Sequence, residues 1–485
     1  MKRIETHISK LFLFERDVFK LKKPVNFGFL DFTTLEARRR ACEAEVELNR
    51  RLAPGVYLGV VPIHRGGRVA DWAVHMTRLD DRDRADLMLR RGMLGPAAVS
   101  AIAQRLAAFH QACPSDGKIA AYGSPETIAF NVRENFAQAQ RNAVALLGRR
   151  AAEQLERWQL AFLHQHDHLF RRRIAQGRVR EGHGDLRLEH VYFTRHGLRV
   201  IDCIEFNERF RMADVCADLA FLSMDLAANG RVDLAELLLA RYARASDDYD
   251  LYGLVDFYES YRAYVRAKIA TFTGDDAAAR RFFLLALSAS RRSIMPPAVI
   301  AVGGVIAAGK STIAERLGDA CSAPIVDADR TRKHLAGVPA ETPMREGAWQ
   351  GAYDPEFTTH VYEEVFRRAG VVLASGRPVV IDASFRSRRW RALARELART
   401  HGVPFHFVEC VAPAEVCRAR LKERAQSASV SDGRIEIFDA FCKSYEPPVE
   451  LAPHERITID TSRPIPDNLA HLTGRLEAWP AGLSA

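Results

Sequence analysis

Gly304-Val305-Ile306-Ala307-Ala308-Gly309-Lys310-Ser311 is a complete G-x-x-x-x-G-K-[S/T] loop, and its surroundings decide the fold of the second half of the chain. The apolar run Ala298–Val302 leads straight into it, and a helical stretch from Thr312 to Leu317 follows. In a strand–loop–helix setting, backbone N–H groups and the helix N-terminus cradle phosphate. Lys310 is expected to reach the β/γ oxygens of a bound triphosphate and Ser311 its magnesium ion, with Gly304, Gly309 and Thr312 completing the cradle.

Working outward, β-like runs at Ile325–Val326, Val379–Ile381, Phe405–Val411 and Ile457–Ile459 alternate with helical stretches, the pattern of a parallel sheet with crossovers. Asp329 and Arg332 follow the first of these runs. A carboxylate there suits the proton of an acceptor hydroxyl, and an arginine one turn on suits a nearby phosphate. Asp327 is the structural alternative to Asp329. Asp382 ends Val379–Ile381 as a carboxylate able to face magnesium, and Arg420 and Arg424, spaced i,i+4 before Gln426–Gly433, read as a lid over the triphosphate. Pro296-Pro297 is the clearest breaker, which divides the chain into domains 1–295 and 296–485.

A second, unrelated constellation lies upstream. His183-Gly184-Asp185 follows Val179 in a loop, where a carboxylate can face an acceptor hydroxyl, and Asp202 ends the apolar strand Leu198–Ile201, a rigid mount for a metal ligand. Asp214-x-x-x-Asp218-Leu219-Ala220 comes after them. Near the N-terminus, His7–Phe14 and Val18–Lys23 flank a polar turn and read as a hairpin, and Thr33 and Thr34 cap a helix from Leu35 to about Leu52. Helices dominate from Asp83 to Gln176 and again from Asp214 to about Arg292.

From Ile4 to Arg292 the chain resembles the aminoglycoside phosphotransferase-like kinases; from Ala298 to Thr461 it resembles the P-loop small-molecule and polynucleotide kinases, zeta-toxin-like enzymes among them. The resemblance implies an α+β protein-kinase-like domain, with a small β lobe and a helical lobe, followed by an α/β P-loop domain with a parallel sheet. It implies ATP and magnesium as cofactors and a hydroxyl-bearing acceptor, a small molecule or a nucleic-acid end. By that likeness Asp185 is the catalytic carboxylate, Asp202 the magnesium ligand and Asp218 the brace of the catalytic loop; Lys20 binds phosphate and Glu45 pairs with it, with Lys22 and Glu47 as alternatives; Met76–Leu79 is the adenine hinge. Two departures stand out. His190 occupies the position of the family's metal-binding Asn, so that either His190 or Glu205 supplies the second metal contact, and only Thr6-His7-Ile8-Ser9 stands where a Gly-rich loop would cover phosphate. These departures leave two rival readings open: a nucleic-acid or small-molecule kinase acting through the P-loop half alone, and a nucleotide-gated regulator with a degenerate kinase domain.

Composition sets the frame. In 485 residues, 70 basic against 61 acidic side chains give a net charge of +9, mild enough to be solvated helix faces and not a demand for nucleic acid. The eight cysteines form no C-x-x-C pair, and the N-terminus lacks the apolar core of a signal peptide, so a cytoplasmic location is expected. Tyr258, Tyr261, Arg262, Tyr264, Arg266 and Lys268 fall on one helix and read as an interdomain seam with snorkelling arginines.

Overall fold

Val18, Lys20 and Lys22 are buried while their neighbours are half-exposed, the period of two that makes Asp17–Lys22 a strand with one inward face. It lies in a five-stranded antiparallel sheet built from β1 (Lys2–Glu5), β2 (Ser9–Leu13), β3 (Asp17–Lys22), β4 (Tyr57–Arg65) and β5 (Arg68–Thr77), in the order β1-β2-β3-β5-β4. The computed structural model describes residues 1–28, 30–287, 293–344, 350–424 and 430–476. The helix Leu35–Arg50 begins at Thr34, whose hydroxyl accepts from the Ala37 N–H at 3.1 Å, and it packs on β4 and β5 through Cys42 and Val46.

The chain forms two units. The first comprises Met1–Arg231 and Leu254–Ala289; the second comprises Val232–Gly253 and Ser290–Ala485. In the first, the sheet is followed by a helical lobe. Its innermost helix, Val215–Ala228, is buried almost all round and packs against Val255–Phe272. Beside it, β6 (Val179–Glu181) pairs with β9 (Met212–Asp214), and the hairpin of β7 (Val191–Thr194) and β8 (Gly197–Val200) carries the chain from His190 to Asp202. The aromatic and arginine stripe expected at a seam lies inside this lobe instead: Tyr258, Arg262 and Tyr264 are buried, and Arg262 donates to the Ala217 carbonyl at 3.2 Å and lies over Phe221. Helical spacing identified a buried face but not what covers it.

The second unit is a parallel sheet in the order β11-β12-β10-β13-β14, with β10 at Val299–Gly303, β11 at Ile325–Asp327, β12 at Val379–Asp382, β13 at Phe405–Val411 and β14 at Arg456–Asp460. Every residue of β10 and β12 is buried, as expected where helices cover both faces of a parallel sheet. The helix Lys310–Cys321 lays Ile313, Ala314 and Leu317 on Ile300, Val302 and Val380. Parallel pairing puts Asp327 and Asp382 side by side at the C-terminal ends of adjacent strands. No described helix is long and apolar enough to cross a membrane.

Candidate functional site

In the first unit the period of β3 sends Lys20 and Lys22 to the same buried face, where both meet Glu45 of the helix Leu35–Arg50. Lys20 Nζ lies 2.8 Å from Glu45 Oε1 and 2.5 Å from Asp202 Oδ1; Lys22 Nζ binds Glu45 Oε2 at 2.5 Å and also Glu205. Burial opposes charge on Lys20, but Asp202 and Glu45 outweigh it and hold the ammonium well above its ordinary pKa. Truncating Glu45 would leave Lys20 to Asp202 and Lys22 to Glu205, removing the one carboxylate that the two lysines share. Glu47 is exposed, and among the described residues no bond joins it to this cluster. Glu205 binds Lys22, and among the described residues no bond joins it to Asp202 or His190.

Asp202 sits just past β8 in the left-handed region, at φ +67°, with its N–H donating to the Tyr57 hydroxyl at 3.1 Å. A non-glycine residue held there stores backbone strain, a feature that clusters at functional sites. Asp218 accepts from the His183 and Gly184 N–H groups at 2.6 and 2.8 Å and so fixes the loop bearing Asp185. His190 Nδ1 faces the Asp185 carbonyl at 2.8 Å and must carry the proton there. Its Nε2 lone pair accepts from Arg187 at 3.3 Å and lies 3.6 Å from Asp202 Oδ2. Burial, then Arg187, pushes the imidazole pKa down to about 4, so the ring is neutral, and Nε2 can ligate a metal once it gives up Arg187. Arg187 grips Asp185 bidentately, Nε to Oδ1 and Nη2 to Oδ2, both at 2.9 Å. Burial opposes charge on Asp185, yet Arg187 and His190 prevail and hold it far below its ordinary value. Thr6–Ser9 forms the β1–β2 turn, closed by Thr6 N to the Ser9 carbonyl at 2.9 Å, with no glycine in it.

In the second unit the glycine loop takes the shape its residues allow. Gly304 has φ +143°, and a Cβ there would lie 2.4 Å from the Cys410 carbonyl oxygen; Gly309 has φ +83° against Thr461. Lys310 Nζ rests on the Val305 carbonyl at 2.8 Å. Ser311 and Asp382 line the same cavity, and the pKa of Asp382 is raised to about 7 by burial and then by Asp327. Two cavities open on the loop. One, about 470 Å³, is lined by Gly309, Thr312, Arg420, Arg424 and Thr461; the other, about 160 Å³, by Lys310, Asp329, Arg332, Tyr353, Asp382 and Arg424 among others. Arg420 donates to the Ala307 carbonyl at 3.2 Å and to the Thr461 carbonyl at 2.7 Å. Asp327 caps the helix Ala328–Leu335 by accepting from the Asp329 and Arg330 N–H groups at 2.9 and 3.0 Å, which leaves the Asp329 carboxyl to the cavity. Burial and then Asp327 raise the pKa of Asp329. Arg332 donates to the Ala352 carbonyl and lies over Tyr353 at 4.5 Å. Of the expected lid Gln426–Gly433, residues 426–429 lie outside the described residues; Asp432 accepts from the Tyr353 hydroxyl at 2.8 Å.

The donor sets fit nucleotide and magnesium in both units. Among the described residues no three His, Cys, Asp or Glu side chains gather around a metal position. Magnesium held by one or two carboxylates plus substrate phosphates needs no such cage. Sequence reading missed Arg187, Tyr57 and Thr461. Only Arg187 left a signal: two residues after Asp185 in an extended loop, it returns to the same side.

Two family models match the chain, one in each half of the sequence. Residues 29–257 match the phosphotransferase enzyme family and residues 299–448 match an AAA domain. An uncharacterised protein of Mycobacterium tuberculosis (strain H37Rv) is 34% identical over 442 residues, covering 90% of this chain and 88% of its own length; a Mycobacterium bovis protein matches equally. Among solved structures, a choline kinase from Cryptosporidium parvum is 11% identical, with TM-score 0.39, over 59% of this chain and 88% of that one. A gluconokinase from Sinorhizobium meliloti is 22% identical, with TM-score 0.25, over 37% and 90%.

Proposed function

The chain belongs to the two-domain family of these mycobacterial proteins, a phosphotransferase-type domain joined to a P-loop kinase-type domain, and from that premise we propose a magnesium-dependent ATP phosphotransferase with two nucleotide sites acting on hydroxyl acceptors. The observation that carries the reading is Lys20 Nζ bonded at once to Glu45 and Asp202, which brings strand, helix and loop together where phosphate and metal would meet. Bound Mg·ATP would supply the transferable phosphoryl group and the charge that offsets it. Around it, Lys20 and Asp202 orient phosphate and metal, His190 offers a neutral nitrogen, and Asp185 faces the acceptor proton. In the second unit Lys310 and Ser311 hold the triphosphate end, Asp382 faces the metal, and Asp329 and Arg332 take the acceptor side. Arg420 and Arg424 close the opposite side. The eight free thiols, seven of them buried, support a reducing cytoplasmic setting.

One observation favours the regulatory alternative for the first unit. With both Asp185 oxygens bonded to Arg187, the carboxylate is held ionised and weakly basic, a poor acceptor for a hydroxyl proton. Turnover of ATP by the full chain, against pooled hydroxyl compounds and 5′-hydroxyl oligonucleotides, separates the readings. Asp185→Asn in a Lys310→Ala background is expected to lower turnover by a factor of about 100 or more with nucleotide affinity nearly intact. Equal turnover in the variant would sink the catalytic role of Asp185, and no turnover in the Lys310→Ala background itself would leave the first unit a nucleotide sensor.

A further inference from the structure

Residues 232–253 lie within the stretch that reads in sequence as the first domain, yet they pack into the second unit. This segment, the helix Val232–Ser246 and the turn Tyr249–Gly253, is bonded to the P-loop fold along its length. Glu236 accepts from the fully buried Arg377 at 2.8 Å, and Arg241 binds Asp319 of the helix that follows the glycine loop. The Tyr249 hydroxyl donates to the Ile325 carbonyl on edge strand β11 at 2.5 Å. Asp250 pairs with Arg367 at 2.7 Å.

Two of its side chains converge on the short helix Ala328–Leu335, which carries Asp329 and Arg332. At its start, Arg244 bridges Glu315 of the glycine-loop helix (3.0 Å) and Asp327 Oδ2 (3.4 Å), while Asp327 Oδ1 caps the helix. At its end, Asp247 Oδ2 meets His334 Nδ1 at 2.7 Å. The same carboxylate takes Arg368 bidentately at 2.6 and 2.8 Å, and Arg368 in turn reaches Thr331 at 3.3 Å. Asp247 has φ +52°, a left-handed conformation that persists because these bonds fix it. A helix of two turns has little stability of its own and takes its position from what holds its ends. Asp327 and Asp382 also lie side by side at adjacent strand ends, and Arg244 brings a cation to the one used as a cap.

We infer that Arg244 and Asp247 are positioning residues of the P-loop site, which is completed by a strap drawn from the middle of the kinase-like sequence. The inference rests on the P-loop site reading above. They act through the helix they clamp at both ends, setting Asp329 and Arg332 against the acceptor while Lys310 and Ser311 hold nucleotide independently. The test uses the full chain carrying Asp202→Ala, with Mg·ATP as the probe. Arg244→Ala is expected to lower ATP turnover at least tenfold with nucleotide affinity within about twofold, and Arg244→Lys to restore most of it. Amide hydrogen exchange across residues 328–335 should quicken at least tenfold in Arg244→Ala and in Asp247→Asn, with residues 125–147 unchanged. Unchanged protection of residues 328–335 in both variants, or turnover and nucleotide affinity falling together, would overturn the strap. Lys310→Ala in the same background separates the two ideas: turnover that survives it refutes the P-loop reading, whereas the exchange result still decides whether the strap positions the helix.

Discussion

At the scale of single residues, His190 is the departure from the aminoglycoside phosphotransferase-like pattern, at the position where we propose that the metal sits. His190 is neutral, fixed by the Asp185 carbonyl, and presents Nε2 near Asp202. Imidazole is a softer partner for magnesium than an amide oxygen. His190→Asn is therefore expected to keep turnover and to reach half-maximal rate at lower magnesium, while His190→Ala should raise the magnesium requirement about tenfold. A magnesium titration of each variant decides it; identical curves for wild type and His190→Ala would remove His190 from the metal. Sequence spacing brought Asp185, Asp202 and Asp218 to one loop system, but could not choose between Lys20 and Lys22. The physical reason is plain once the strand is seen: residues two apart share a face, so both lysines meet Glu45. Arg187 was hidden because an arginine beside an acid in a loop is ordinary until its bidentate geometry is seen.

At the scale of elements, legibility followed burial pattern. The strands of the parallel sheet were plain as continuous apolar runs, because both faces are covered. Strand β1, Lys-Arg-Ile-Glu with every residue exposed, offers no alternation to read. The glycine loop was legible in chemistry and in backbone alike. Gly304→Ala must push a methyl into the Cys410 carbonyl at a φ that side chains avoid, and overpacking of this kind costs about 1–3 kcal/mol. Calorimetry on the full chain should show loss of the second unit's nucleotide binding with the first unit's retained; two sites still titrating would contradict this account of the loop.

At the scale of the whole molecule, the strap is what sequence could not reveal. Periodicity tells which face of Val232–Ser246 is buried but not whose core buries it, and the neighbouring helices belong to the other unit. The practical consequence is that a fragment beginning at Ala298 lacks Glu236, leaving Arg377 buried without that carboxylate, so tests of the second site belong in the intact chain. Two independent nucleotide sites in one chain would show in the binding stoichiometry. Titration with a non-hydrolysable ATP analogue and magnesium is predicted to give two molecules per chain in the wild type, one in Asp202→Ala, one in Lys310→Ala and none in the double variant. A wild-type value of one, abolished by either substitution alone, would contradict it.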